Sequence, residues 1–113
     1  AKALVLGYAY LEDSDDTRNS PSETLVRILE AEGMEVRIHD PFVPAFTGDL
    51  FKQAEACDAA ILMVKHSHYQ TLDLAALKSK LRTPILIDTR HILNAATPMA
   101  LGFDFYALGV GRD

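Results

Sequence analysis

The sequence contains no tryptophan, a single cysteine (Cys57) and no apolar run approaching the ~20 residues that cross a bilayer. A lone cysteine cannot close an internal disulfide, so a disulfide-framework fold is excluded and a reducing, cytoplasmic setting is expected. At the N-terminus no basic segment, apolar stretch and cleavage site follow one another, and no secretory signal is expected. Positive charge is in deficit: 11 Lys and Arg against 16 Asp and Glu give a net charge of −5, which argues against a nucleic-acid or anionic-membrane surface. A small phosphate-bearing ligand stays compatible, because one or two placed cations and some backbone donors suffice to hold it. Glycine is scarce, with 6 residues, and nowhere falls in the G-x-G-x-x-G spacing of a dinucleotide loop.

What is present is an ordinary globular composition. Of 113 residues, 49% are hydrophobic and 24% charged, which suits one compact domain over residues 1–113 and excludes disorder. The chain opens directly on a core-like run, Ala3-Leu4-Val5-Leu6, so we expect it to be one domain of a longer protein.

That run, ended by Gly7, reads as a strand buried on both faces. Ser20-Pro21-Ser22-Glu23 carries three helix-start signals: a capping serine, proline at the first helical position, and a glutamate completing a capping box. The helix continues through Leu25, Ile28 and Leu29 until Gly33 stops it. Glu35 to His39, closed by Asp40-Pro41, reads as a second strand, and about Gly48 to Cys57 as a short helix. Ala59 to Val64 is the most apolar run and reads as a central strand. Leu72 to Leu81 is an amphipathic helix, with Pro84–Asp88 and Phe103–Leu108 as fourth and fifth strands. Strands alternating with helices, too apolar for a half-exposed sheet, imply parallel right-handed βαβ units. The expected fold is α/β, a three-layer Rossmann-like doubly wound parallel sheet of about five strands in order 3-2-1-4-5, with helices on both faces.

Ligands in such sheets sit beyond the carboxyl ends of the strands, near the reversal of strand order. Four loops qualify, residues 7–19, 40–44, 65–69 and 88–94, and the assumed order places the first and last at the reversal. In the first loop Gly7 is the only glycine, so no NAD turn is expected there. Arg18 and Arg90 are the only arginines in these loops, and a guanidinium matches phosphate oxygens bidentately. A solvated or internally paired side chain is the alternative for each, since Asp15, Asp16 and Asp88 lie close in sequence.

Gly7-Tyr8-Ala9-Tyr10, Asp16-Thr17-Arg18-Asn19-Ser20-Pro21, His39-Asp40-Pro41 and Ile87-Asp88-Thr89-Arg90 together resemble the UDP-glucose/GDP-mannose dehydrogenase family. More narrowly they are similar to its UDP-N-acetyl-D-mannosaminuronate (UDP-ManNAc) dehydrogenases. The resemblance covers nearly the whole chain, but only the C-terminal third of such an enzyme. It implies a UDP-sugar-binding domain of an enzyme that oxidises C6 of a nucleotide-linked hexose, such as UDP-N-acetylmannosamine, to the carboxylate in two steps, reducing two NAD⁺. By the same resemblance the NAD-binding domain and the catalytic cysteine and lysine lie outside this chain, which then has no catalytic residue of its own. A helical dimerisation segment lies outside it too, so the parent is expected to be a homodimer or higher homo-oligomer. Matched position by position, Tyr10 and Leu11 line the nucleotide-sugar site, Arg90 reaches the nucleotide-sugar, and Arg18 projects toward the NAD held by the other domain. One departure is visible: the family usually has lysine directly after the aromatic residue, and this chain has Leu11.

Other constellations read as ordinary structure. Cys57 sits at a helix end beside Asp58, a poor setting for a reactive thiolate, and reads as a small buried residue. His39, His66, His68 and Cys57 lack the paired spacing of a zinc site, so the two loop histidines read as groups near the ligand edge or at the start of the next helix. Tyr69 reads as packing rather than base stacking. Asp15-Asp16 with Lys65 does not make a phospho-acceptor receiver, because Lys65 stands near the end of the third strand, where that design needs its aspartate. Two alternatives to the dehydrogenase domain are a stand-alone nucleotide or CoA-type binding module and a regulatory domain that has lost its ligand.

Overall fold

The computed structural model of the chain describes residues 1–9, 13 and 20–107. Five strands, β1 (Lys2–Leu6), β2 (Glu35–His39), β3 (Ala59–Leu62), β4 (Ile85–Asp88) and β5 (Asp104–Ala107), form one sheet. Every neighbouring pair is parallel. The helices between them are α1 (Pro21–Ala31), α2 (Leu50–Ala54), α3 (Ser67–Gln70), α4 (Leu74–Lys80) and α5 (Ala96–Ala100), with a 3₁₀ turn at Pro44–Phe46. The α/β, Rossmann-like class is the expected one.

The strand order is not. The sheet runs β2-β1-β3-β4-β5, so β3 lies between β1 and β4 and not outside β2. The reason is chemical. Strand β2 reads Glu-Val-Arg-Ile-His, with charge at alternate positions, and it stays partly exposed at the sheet edge, where charged side chains also block pairing with other chains. Strand β3 reads Ala-Ala-Ile-Leu, and only a position covered on both faces buries it fully. The reversal of strand order therefore falls between β1 and β3, and the loops that follow those two strands flank the crevice.

Side chains alternate across the sheet. Leu4, Leu6, Ala60, Leu62 and Leu86 face one core, packed with Leu50 and Ala54 of α2, Leu74 and Leu77 of α4, and Tyr69. Ala3, Val5 and Ile61 are buried on the other face, which right-handed crossover assigns to α1. The start of α1 follows two of its three sequence signals, the serine cap and the proline; the Glu23 side chain turns to Arg27 and does not close a capping box on Ser20. Ser20 Oγ accepts the N–H groups of Ser22 (3.0 Å) and Glu23 (3.4 Å), and Pro21 occupies the first turn. The Glu23 carboxylate pairs with Arg27 at 3.3 Å. Ser22 adds a contact that capping rules do not foresee: its buried hydroxyl donates to Gly7 O at 2.7 Å, tying the start of α1 to the end of β1.

Candidate functional site

Gly7 ends β1 at φ +101°, and a Cβ there would stand 2.7 Å from Val64 Cβ and 2.9 Å from Val64 N. The two chain segments that flank the crevice therefore meet at a distance only glycine permits. The Gly7 N–H donates to His39 O (2.8 Å), and the Tyr69 hydroxyl donates to the same carbonyl (2.8 Å). With its proton so used, the Tyr69 oxygen accepts from His39 Nδ1 at 2.9 Å. Tyr69 is wholly buried, so the packing reading holds. Burial, helped by nearby His68, lowers the His39 pKa from 6.5 to about 4.

Asp40 follows β2 and is fully buried. Its Oδ2 accepts the N–H groups of Tyr8 (2.7 Å) and Ala9 (2.9 Å) and the Nε2–H of His66 (2.9 Å), while Oδ1 accepts the Phe42 N–H (2.8 Å). Burial alone raises a carboxyl pKa, but these donors outweigh it and bring Asp40 from 3.8 to about 2. His66, also fully buried, uses its other ring nitrogen to accept the Asp13 N–H at 2.7 Å. A backbone amide can only donate, so His66 carries its proton on Nε2. The Asp13 carboxylate in turn accepts the N–H (3.0 Å) and the hydroxyl (3.2 Å) of Ser67 at the start of α3. Neither Asp40 nor His66 stood among the sequence-derived site residues. His66 is the residue preceding α3, yet its ring makes no cap and reaches Asp40 instead.

Arg90 lies at the carboxyl end of β4. Asp88, fully buried, accepts the backbone N–H of Arg90 (3.1 Å) and of Leu93 (2.8 Å) and so shapes the turn. The Arg90 side chain is exposed, and its Nε donates to Met63 O at 3.2 Å. Asp88 therefore holds the backbone of Arg90, and among the described residues no carboxylate pairs with its guanidinium. Thr89 Oγ donates to Leu62 O at 2.7 Å, tying the loop after β4 to the end of β3. Tyr10, Leu11 and Arg18 lie outside the described residues, as do Asp15 and Asp16. Burial raises the Cys57 thiol pKa, and the thiol donates to Gln53 O at 3.4 Å, so it is an inert core residue.

Among the described residues around the turn after β1, the backbone amides nearest the end of the strand and the start of α1 are already engaged. In a dinucleotide-binding sheet the free N–H groups of this turn meet the pyrophosphate. Here the N–H groups of Tyr8 and Ala9 are consumed by Asp40, and those of Ser22 and Glu23 by Ser20 Oγ.

Residues 4–95 match the UDP-glucose/GDP-mannose dehydrogenase family, UDP binding domain. The chain belongs to that family. A UDP-N-acetyl-D-mannosamine dehydrogenase of Methanocaldococcus jannaschii is 33% identical over 118 aligned positions, covering 99% of this chain and 28% of the relative. A UDP-glucose 6-dehydrogenase of Rickettsia bellii is 32% identical, over 93% of this chain and 27% of the relative. The solved structure of a UDP-D-ManNAc dehydrogenase from Pyrococcus horikoshii superposes with a TM-score of 0.88 at 34% identity, covering 100% of this chain and 26% of that one. The chain thus spans about a quarter of the length of the relatives it matches. Among the described residues no helix is long and apolar enough to cross a membrane.

Proposed function

We propose that this chain holds the UDP part of a nucleotide sugar within an NAD-dependent UDP-sugar 6-dehydrogenase, with a UDP-hexose such as UDP-N-acetylmannosamine as substrate. Arg90 carries the reading. Its exposed guanidinium, steadied through Nε by Met63 O, stands on the ligand side of the sheet beside the β1/β3 crevice. Tyr10 and Leu11, in the loop that opens the same crevice, complete the nucleotide-sugar side, and Arg18 reaches NAD bound by another domain. The Tyr8 and Ala9 amides favour this division, because Asp40 holds both and neither is free to cradle a pyrophosphate. Hydride acceptor, nucleophile and the contacts that select the sugar all belong to the rest of the parent enzyme, a homodimer or higher homo-oligomer.

The test is calorimetric titration of the chain with UDP. A charge-assisted, bidentate phosphate contact contributes roughly 1.5–3 kcal/mol, so Arg90→Ala should weaken UDP binding by about ten- to a hundredfold with the fold unchanged. Equal affinity in the variant assigns Arg90 a purely structural role.

A further inference from the structure

Arg90 is held from three directions, each anchored in the sheet or its strand ends. Asp88 closes β4 and is fully buried, lying between Leu62 of β3 and Ala107 of β5 in the parallel register. Its Oδ1 accepts the Arg90 N–H at 3.1 Å and its Oδ2 the Leu93 N–H at 2.8 Å, so one carboxylate anchors both ends of residues 90–93. Between these anchors His91 turns the chain at φ 56°, a left-handed conformation that histidine enters more readily than most residues. Just before them, Thr89 binds Leu62 O twice, through its N–H at 3.1 Å and its hydroxyl at 2.7 Å. The third hold is on the side chain itself, where Arg90 Nε donates to Met63 O at 3.2 Å.

We propose that Asp88 and Thr89 are positioning residues for the nucleotide, which set the Arg90 guanidinium at the end of β4 by fixing its main chain. The proposal rests on the nucleotide reading above. With Nε committed to Met63 O, the edge formed by the two terminal nitrogens is the one that can meet two phosphate oxygens at once. A long side chain gives up rotamer freedom when it binds, and a fixed main chain with a steadied Nε has given up part of it beforehand. Asp88 does this without competing for the guanidinium. Its buried carboxylate is engaged by the amides of the turn and makes no ion pair with the exposed Arg90 side chain. Both residues act through Arg90.

A double-mutant cycle on UDP binding, read by calorimetry on this chain, separates positioning from general support of the fold. Asp88→Asn keeps one acceptor oxygen and turns an NH₂ toward the other amide, so one anchor is lost. It should weaken UDP by about tenfold when Arg90 is present, and by less than about twofold in the Arg90→Ala background. Thr89→Val removes the hydroxyl bond and leaves the amide bond to Leu62 O. It should weaken UDP by about threefold, with the same dependence on Arg90. A second readout needs no ligand: exchange of the Arg90 Nε–H with water, followed by NMR, should quicken about fivefold in Asp88→Asn. Equal loss of UDP affinity with and without Arg90 makes Asp88 a structural residue and overturns the proposal, as does unchanged affinity in Asp88→Asn. If Asp88→Asn does not fold, the Thr89→Val cycle decides by the same comparison. If the unaltered chain does not bind UDP while Nε–H exchange responds as expected, the nucleotide reading falls and the hold on Arg90 stands. Unchanged exchange overturns that hold.

Discussion

Asp40 is a buried charge held by N–H dipoles, and that sets its response to acid and to mutation. Its folded pKa of about 2 lies below the ordinary 3.8, so the carboxylate contributes stability that is complete above about pH 4 and lost as pH falls toward 2. Asp40→Asn keeps one acceptor oxygen and turns an NH₂ toward the donors. It should cost roughly 2–4 kcal/mol in urea unfolding at pH 7. The gap to the unaltered chain should narrow as pH falls from 4 toward 2. His39 acts over a higher window with the same sign. Its folded pKa of about 4 lies below 6.5, so the unfolded chain takes up a proton first and stability declines as pH drops from 6.5 toward 4. In His39→Asn that upper segment should disappear from a plot of urea midpoint against pH; a slope that persists there assigns it to another group. These roles were out of reach of sequence reading. The His66–Asp40 and His66–Asp13 contacts join residues 26 and 53 positions apart, whereas motif logic sees only neighbours. The sequence-level reading set His66 near the ligand edge or as a cap on the next helix; its ring makes no cap, and sequence had no means to choose its partner.

Among the elements, those with several concurring local signals were legible. Helix α1 appears where Ser20, Pro21 and Gly33 bound it, with Ser20 capping as expected. The order of strands was misjudged because helix and strand periodicity carries no information on which strands pair. The alternating charge of β2 was the available signal for an edge, and it was not weighed against the wholly apolar β3. Helices α3 and α5 were missed. With 4 and 5 residues they are too short for a periodic stripe, and no side chain caps either of them. The Ser22 tie between α1 and β1 supports a further expectation. Ser22→Ala leaves the Gly7 carbonyl without its buried donor and should cost about 1–2 kcal/mol by chemical denaturation. Ser22→Thr, which keeps the hydroxyl, should recover part of that loss.

For the whole molecule, relocating the reversal changes which loops face each other. The crevice lies between the loops after β1 and β3, and Arg90 joins it from β4 by bonding back to Met63 O. Arg90 lies beyond the carboxyl end of β4, the ground on which its loop was selected, although the assumed strand order that set that loop at the reversal was wrong. Function was legible at this scale because the family's motifs survive in register, whereas the placement of Tyr10, Leu11 and Arg18 falls outside the described residues. If the chain supplies only the nucleotide half of a dehydrogenase, then adding UDP-sugars and NAD⁺ to it alone should yield no NADH at high protein concentration. Turnover that scales with protein through purification contradicts the division of labour. In the longer enzyme, Arg18→Ala should weaken NAD⁺ while sparing UDP-sugar affinity and Tm. A fall in Tm with NAD⁺ affinity intact would assign Arg18 to an ion pair within its loop.

The bonds of Asp40 and His66 also tie three loops into one unit. Ala9 and Asp13, in the loop after β1, donate to Asp40, which follows β2, and to His66, which follows β3, and His66 in turn donates to Asp40. The carboxyl ends of β1, β2 and β3 are therefore coupled, and loss of either buried partner should loosen all three loops and not its own alone.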